Sequence, residues 1–99
     1  MRKKIEGAEL QAGVAGLADW KLEKDQLVRT VLFPDFASAM AFVNRAAELA
    51  EEADHHPDMD IRFNKIRFVL TTHSAGGITK MDLDMAARLN SELQSMKNC

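Results

Sequence analysis

Hydrophobic positions change their period several times along this 99-residue chain. Between residues 5 and 17, Leu10, Val14 and Leu17 recur at i, i+4 and i+7. That spacing is one face of a short helix, weakened by Gly13 and Gly16. Trp20 and Leu22 then alternate with Lys21 and Glu23, Glu23 to Gln26 is polar and turn-like, and Leu27 to Phe33 is rich in β-branched and large apolar residues. This predicts a hairpin of one short and one longer strand.

Pro34 and Asp35 suit a helix start, with proline at the first helical position and the acid in the first turn. Phe36, Met40, Val43, Ala47 and Ala50 form the expected buried stripe of a helix running to about Glu52, which His56-Pro57 ends. From Asp60 to Thr72 the period is two. Ile61 and Phe63 share one phase and Ile66, Phe68 and Leu70 the other, so a turn at Asn64-Lys65 separates two further strands. Ser74 to Gly77 reads as a loop. Thr79-Lys80-Met81-Asp82 has the form of a capping box and opens a helix over about 79–96 that buries Ala86, Leu89, Leu93 and Met96. The expected fold is α+β, a single two-layer domain over residues 1–99. A four-stranded antiparallel sheet carries three helices on one face, in the order α-β-β-α-β-β-α.

Composition narrows the function. Thirteen basic and fifteen acidic residues give a net charge of −2, with no cationic excess to drive general phosphate binding, so no direct nucleic-acid partner is expected. No apolar run is long enough for a membrane span, and no long apolar stretch follows the basic N-terminus as in a secretory signal. The single cysteine, Cys99, gives neither a disulfide framework nor a cysteine zinc site within one chain. A cytoplasmic protein is expected. The strand Leu27–Phe33 is apolar in both phases, and helices cover only one sheet face, so a homo-oligomer is expected as well.

The candidate chemistry is histidine chemistry. His55, His56 and His73 all fall near element ends, where loops at the rim of a scaffold carry sites. Asp82 heads the buried stripe of the last helix, because +4, +7 and +11 from it are Ala86, Leu89 and Leu93. It can cap that helix, face a cleft, or do both. Glu51 stands four residues before His55 and could orient that ring, or it is one of several solvated acids. Adjacent His55 and His56 cannot easily turn both rings toward one ion, so no metal is expected. Gly76-Gly77 lacks the lysine of a phosphate loop, and Ser74 beside His73 is a weak nucleophile signal.

Taken in order, Trp20, Glu51, His55-His56-Pro57, Phe63-Asn64, Thr72-His73, Gly77, Thr79 and Asp82 resemble the pattern of the pterin-4a-carbinolamine dehydratase family, over about residues 10–96. Two positions depart from it: Phe63 stands where the family often has tyrosine, and Met59 where some members have an aromatic. The resemblance implies a hydro-lyase of pterin recycling that dehydrates 4a-hydroxytetrahydropterin (4a-hydroxytetrahydrobiopterin) to quinonoid dihydropterin without cofactor or metal. It implies His55, His56, His73 and Asp82 as catalytic residues. Trp20, Glu51, Pro57, Asn64 and Thr72 would bind substrate, with Trp20 walling the cleft. Proton transfer falls to His55 and His73 in the preferred division, with His56 binding, an assignment left open among the three. Family members form dimers and tetramers. The rival reading is a non-catalytic interaction module on the same fold, serving as a transcriptional cofactor or an assembly factor.

Overall fold

The computed structural model describes residues 3–97. The elements are α1 (Gly7–Ala15), β1 (Lys21–Glu23), β2 (Gln26–Leu32), α2 (Phe36–Ala53), β3 (Asp58–Arg62), β4 (Lys65–Leu70), a 3-10 turn (His73–Ala75) and α3 (Lys80–Lys97). All strand pairs are antiparallel, in the sheet order β1-β2-β4-β3. This is the expected α-β-β-α-β-β-α architecture. Leu27, Val31 and Phe33 from β2 and its exit, with Ile66, Phe68 and Leu70 from β4, meet Phe42, Ala46 and Leu49 of α2 and Met85, Ala86 and Leu89 of α3. Phe42 sets its ring edge-on to Phe68, centroids 5.5 Å apart, a favoured aromatic geometry. Leu10, Val14 and Leu17 of the α1 region are only partly buried against this core. Gly13 serves a close approach: a methyl group there would lie 2.9 Å from the Leu83 side chain of α3.

Three local expectations need correction. Pro34 is not the first helical residue. Asp35 is the N-cap of α2 and its side chain accepts the Ser38 N–H at 2.7 Å, so Pro34 lies outside the helix. The buried stripe of α2 is rotated to Ala39, Phe42, Val43, Ala46, Leu49 and Ala50, leaving Phe36 and Ala47 exposed. Alanines fit either stripe, and burying the large Phe42 and Leu49 decides which face turns inward. The second hairpin turns at Phe63-Asn64, one residue earlier than expected, because Arg62 pairs with Lys65. In that place Asn64 bonds the end of β2, its side-chain amide donating to the Phe33 carbonyl and its backbone carbonyl accepting the Phe33 N–H, both at 2.8 Å.

The sheet face away from the helices is less apolar than expected. Register places Lys21, Val28, Val69 and Asp58 in one row across it, and both valines are already buried. Leu32, on that same face, stays exposed and lies with Phe36, Ile61 and Phe63 at the end of the sheet formed by the β3–β4 turn and the start of α2, while exposed Leu22 lies at the opposite end.

The Asp35 cap has a pH signature. The Ser38 backbone N–H, then the Ser38 side chain, hold its carboxyl below the usual range. A depressed folded value means the cap supports the fold above the unfolded carboxylate pKa of about 4 and loses that support as pH falls through the lower folded value. Thermal melts from acid to neutral pH are expected to show a shallower acid-side loss in Asp35→Asn than in the parent. The effect is expected to be small because the group is fully exposed.

Candidate active site

The histidines reach one place because two chain reversals end there. Helix α2 stops at Asp54, which takes the left-handed conformation at φ 51° while the His55 N–H returns to the Ala50 carbonyl. Short polar residues tolerate that conformation. The reversal drives His55 inward, where it is buried, and leaves His56 exposed. Pro57, also buried, stiffens the entry to β3. Beyond β4, Thr72 and Gly77 form an isolated antiparallel bridge. It closes the loop that carries His73, with Gly76 left-handed at φ 77°.

Asp82, in the first turn of α3, is completely buried and accepts from three directions. Its Oδ1 lies 2.6 Å from His55 Nε2. Its Oδ2 accepts from the Thr79 N–H at 2.9 Å and the Thr72 hydroxyl at 2.7 Å. Of the two readings of Asp82, the cap of α3 holds, but the carboxylate is completely buried and does not face the cleft; it holds the His55 imidazole from behind. With Asp82 as acceptor, His55 carries its proton on Nε2, which leaves the lone pair on Nδ1.

Glu51 pairs with His56, at 2.6 Å between Oε2 and Nε2, and not with His55 as its spacing suggested. The left-handed Asp54 rotates the two rings apart, so the exposed histidine falls to the exposed glutamate and the buried one to the buried aspartate. An exposed pair of this kind contributes little to stability but restrains the His56 ring.

A cavity of about 370 Å³ is lined by Asp54, His55, His56, Thr71, Thr72, His73 and Ser74, within the range of small-molecule sites, ~300–1,000 Å³. All three histidines thus border one space, with Asp82 directly behind it. A larger groove of about 830 Å³ between the N-terminal segment and α3 is lined by Lys3, Ile5, Gly13, Met81 and Leu83 among others and contains no histidine. Of the five implied binders only Thr72 lines the cavity; Glu51 and Pro57 flank the histidines without lining it, and Asn64 and Trp20 lie elsewhere. Asn64 sits at the opposite end of β4. Trp20 is buried in the core, its indole N–H donating to Asn90 Oδ1 at 2.8 Å, an oxygen that Arg29 also contacts. Thr71, Ser74 and Asp54 line the cavity without having been singled out as binders, their only signal being adjacency to the histidines. Among the described residues no three histidine, cysteine, aspartate or glutamate side chains converge to hold a metal ion. Cys99 lies outside the described residues. No described helix is long and apolar enough to cross a membrane.

A small α+β domain with a carboxylate-backed histidine cavity has clear relatives. The family profile described as Pterin 4 alpha carbinolamine dehydratase matches residues 3–92. The chain belongs to that family. A protein of Thermomicrobium roseum, provisionally named pterin-4-alpha-carbinolamine dehydratase, is 49% identical over 86 residues, covering 87% of this chain and 92% of the relative. One of Acidobacterium capsulatum with the same provisional name is 49% identical over 84 residues, covering 85% and 91%. Among solved structures, a transcriptional coactivator/pterin dehydratase from Brucella melitensis superposes with a TM-score of 0.87 at 31% identity, covering 90% of this chain and 97% of its own. A pterin dehydratase-like RuBisCO assembly factor of the alpha-carboxysome shares the fold, with a TM-score of 0.60 at 22% identity over 73% of this chain and 83% of its own.

Proposed function

We propose that this chain dehydrates a 4a-hydroxytetrahydropterin to the quinonoid dihydropterin by histidine acid–base catalysis. The observation that carries the reading is the buried His55–Asp82 pair opening onto a cavity that His56 and His73 also border. Loss of water from C4a breaks the C4a–O bond and forms C4a=N5. The departing hydroxyl takes up a proton, and N5 gives one up. His55 Nδ1, with its lone pair set by the Nε2–H to Asp82, accepts the N5 proton. Protonated His73, exposed on its turn, donates to the leaving oxygen. Solvent then carries a proton from His55 back to His73, and no net proton is consumed. Imidazoles titrate near neutral pH, which suits both steps. His56, tethered by Glu51, holds the rim and the ring edge.

A binding experiment tests the substrate class at this site. A dihydropterin lacking the 4a-hydroxyl is expected to shift the side-chain resonances of His55, His56 and His73 in a saturable titration. Unmoved histidine resonances at millimolar pterin would overturn the reading. The interaction-module alternative draws support from the relative named as a coactivator as well as a dehydratase, and it predicts that null result.

We infer further that copies of the chain associate. Leu32 and Phe63, 72% and 69% exposed, lie at the same end of the sheet as half-exposed Phe36 and Ile61, and a second copy would cover them. Light scattering at micromolar concentration is expected to give a multiple of the 11.0 kDa chain mass. The single-chain mass would contradict it.

A further inference from the structure

Two buried hydroxyls, those of Thr72 and Thr79, stand behind Asp82 and have no part in the proton transfers. Thr72 and Thr79 are each 1% exposed. Thr72 Oγ1 lies 2.7 Å from Asp82 Oδ2 and 2.9 Å from Thr79 Oγ1. The Thr79 N–H also donates to Asp82 Oδ2, at 2.9 Å, and the Met81 N–H donates to Thr79 Oγ1 at 3.2 Å.

Each hydroxyl has one proton, and a carboxylate only accepts. The direction of the chain follows. Thr72 donates to Asp82, Thr79 donates to Thr72, and Met81 donates to Thr79. The reverse order would set the Thr72 oxygen against a carboxylate oxygen at 2.7 Å with no proton between them. The chain therefore runs one way, from the first turn of α3 through two hydroxyls to Asp82 and on to His55. Its effect is to occupy Oδ2 with two donors and leave Oδ1 to His55 alone. Rotating the completely buried carboxylate would break both bonds to Oδ2.

We propose that Thr72 and Thr79 are positioning residues that act through Asp82. They fix the plane of the carboxylate, and with it the tautomer and direction of the His55 ring. Thr72 thus serves the reaction from behind the imidazole, its hydroxyl turned away from the substrate. A helix cap alone does not require this arrangement. Thr79 and Asp82 cap α3 through backbone N–H groups, whereas Thr72 belongs to the opposite strand of the loop. There its own N–H and carbonyl are held by Gly77, at 2.9 and 3.3 Å. The same residue therefore orients His55 through its hydroxyl and launches the His73 turn through its backbone.

The proposal rests on the dehydratase reading for its kinetic consequence, and its test separates the two. Thr72→Val, Thr72→Ser and Thr79→Ala are made in the full chain and followed by steady-state kinetics and by the ¹⁵N-histidine spectrum. In Thr72→Val, kcat is expected to fall roughly tenfold or more with KM within about twofold, and the His55 Nε2–H resonance to broaden or vanish. Thr72→Ser is expected to restore both. Thr79→Ala, which keeps the backbone donor to Asp82, is expected to move both in the same direction by less, and it decides the matter if Thr72→Val does not fold. A raised KM with kcat intact would make Thr72 a substrate contact and overturn the proposal. An unchanged His55 resonance would overturn it too. Should the parent chain show no turnover, the dehydratase reading fails, while the resonance still decides whether the hydroxyls position His55.

Discussion

Asp82→Asn is expected to lower turnover by about 10²–10⁴-fold while the chain still folds. The reason is the direction of its hydrogen bonds. Two donors, the Thr79 N–H and the Thr72 hydroxyl, converge on Oδ2. An asparagine has one accepting oxygen, and these donors claim it. The amide NH₂ then faces His55 Nε2, which must accept where it formerly donated. The imidazole changes tautomer, its proton moves to Nδ1, and the lone pair that takes the N5 proton disappears from the cavity. Stability is expected to fall by about 1–3 kcal/mol for one disturbed buried polar contact. Initial rates and a thermal melt on the same preparation separate the two effects. A lower melting temperature with parental turnover would reduce Asp82 to a cap.

His55→Ala and His73→Ala are each expected to slow dehydration by at least about tenfold and by up to the ~10²–10⁴-fold that positioned acid–base groups supply. They differ in stability. His55 is buried, and its removal strands Asp82 Oδ1, so His55→Ala is expected to melt earlier. His73 is exposed on its turn, so His73→Ala is expected to melt with the parent. Parental rates in both folded variants would remove the histidines from the mechanism. Partial loss in one of them is compatible with a neighbouring imidazole taking its place.

The order of elements was legible because strands with one face on a core keep a period of two, as Ile66, Phe68 and Leu70 do. Helix faces were harder to read where alanine is common. In α2 the spacing admitted two neighbouring stripes, and only the packing of Phe42 and Leu49 against the sheet selected one. The site divides in the same way. His55, His56 and His73 could be picked out from residue type and nearness to element ends, and Asp82 from its place at the head of a buried stripe. The partners could not. Whether Glu51 meets His55 or His56 depends on the left-handed turn at Asp54. The role of Trp20 depends on Asn90, 70 residues away along the chain. A tryptophan beside a strand suits a cleft wall and a core equally well, and its indole N–H follows whichever acceptor the fold supplies. The resemblance implies Thr72 as a binder. Its hydroxyl bonds Asp82 of α3 and Thr79 just ahead of that helix, partners that its place in the chain does not reveal.

The most direct test follows the ultraviolet absorbance of freshly generated 4a-hydroxytetrahydropterin in the presence of catalytic amounts of the chain, with His55→Ala run alongside. The account predicts a first-order loss of carbinolamine whose rate rises in proportion to the concentration of the parent chain and falls toward the buffer rate in the variant. A rate no faster than buffer for the folded parent chain would contradict it.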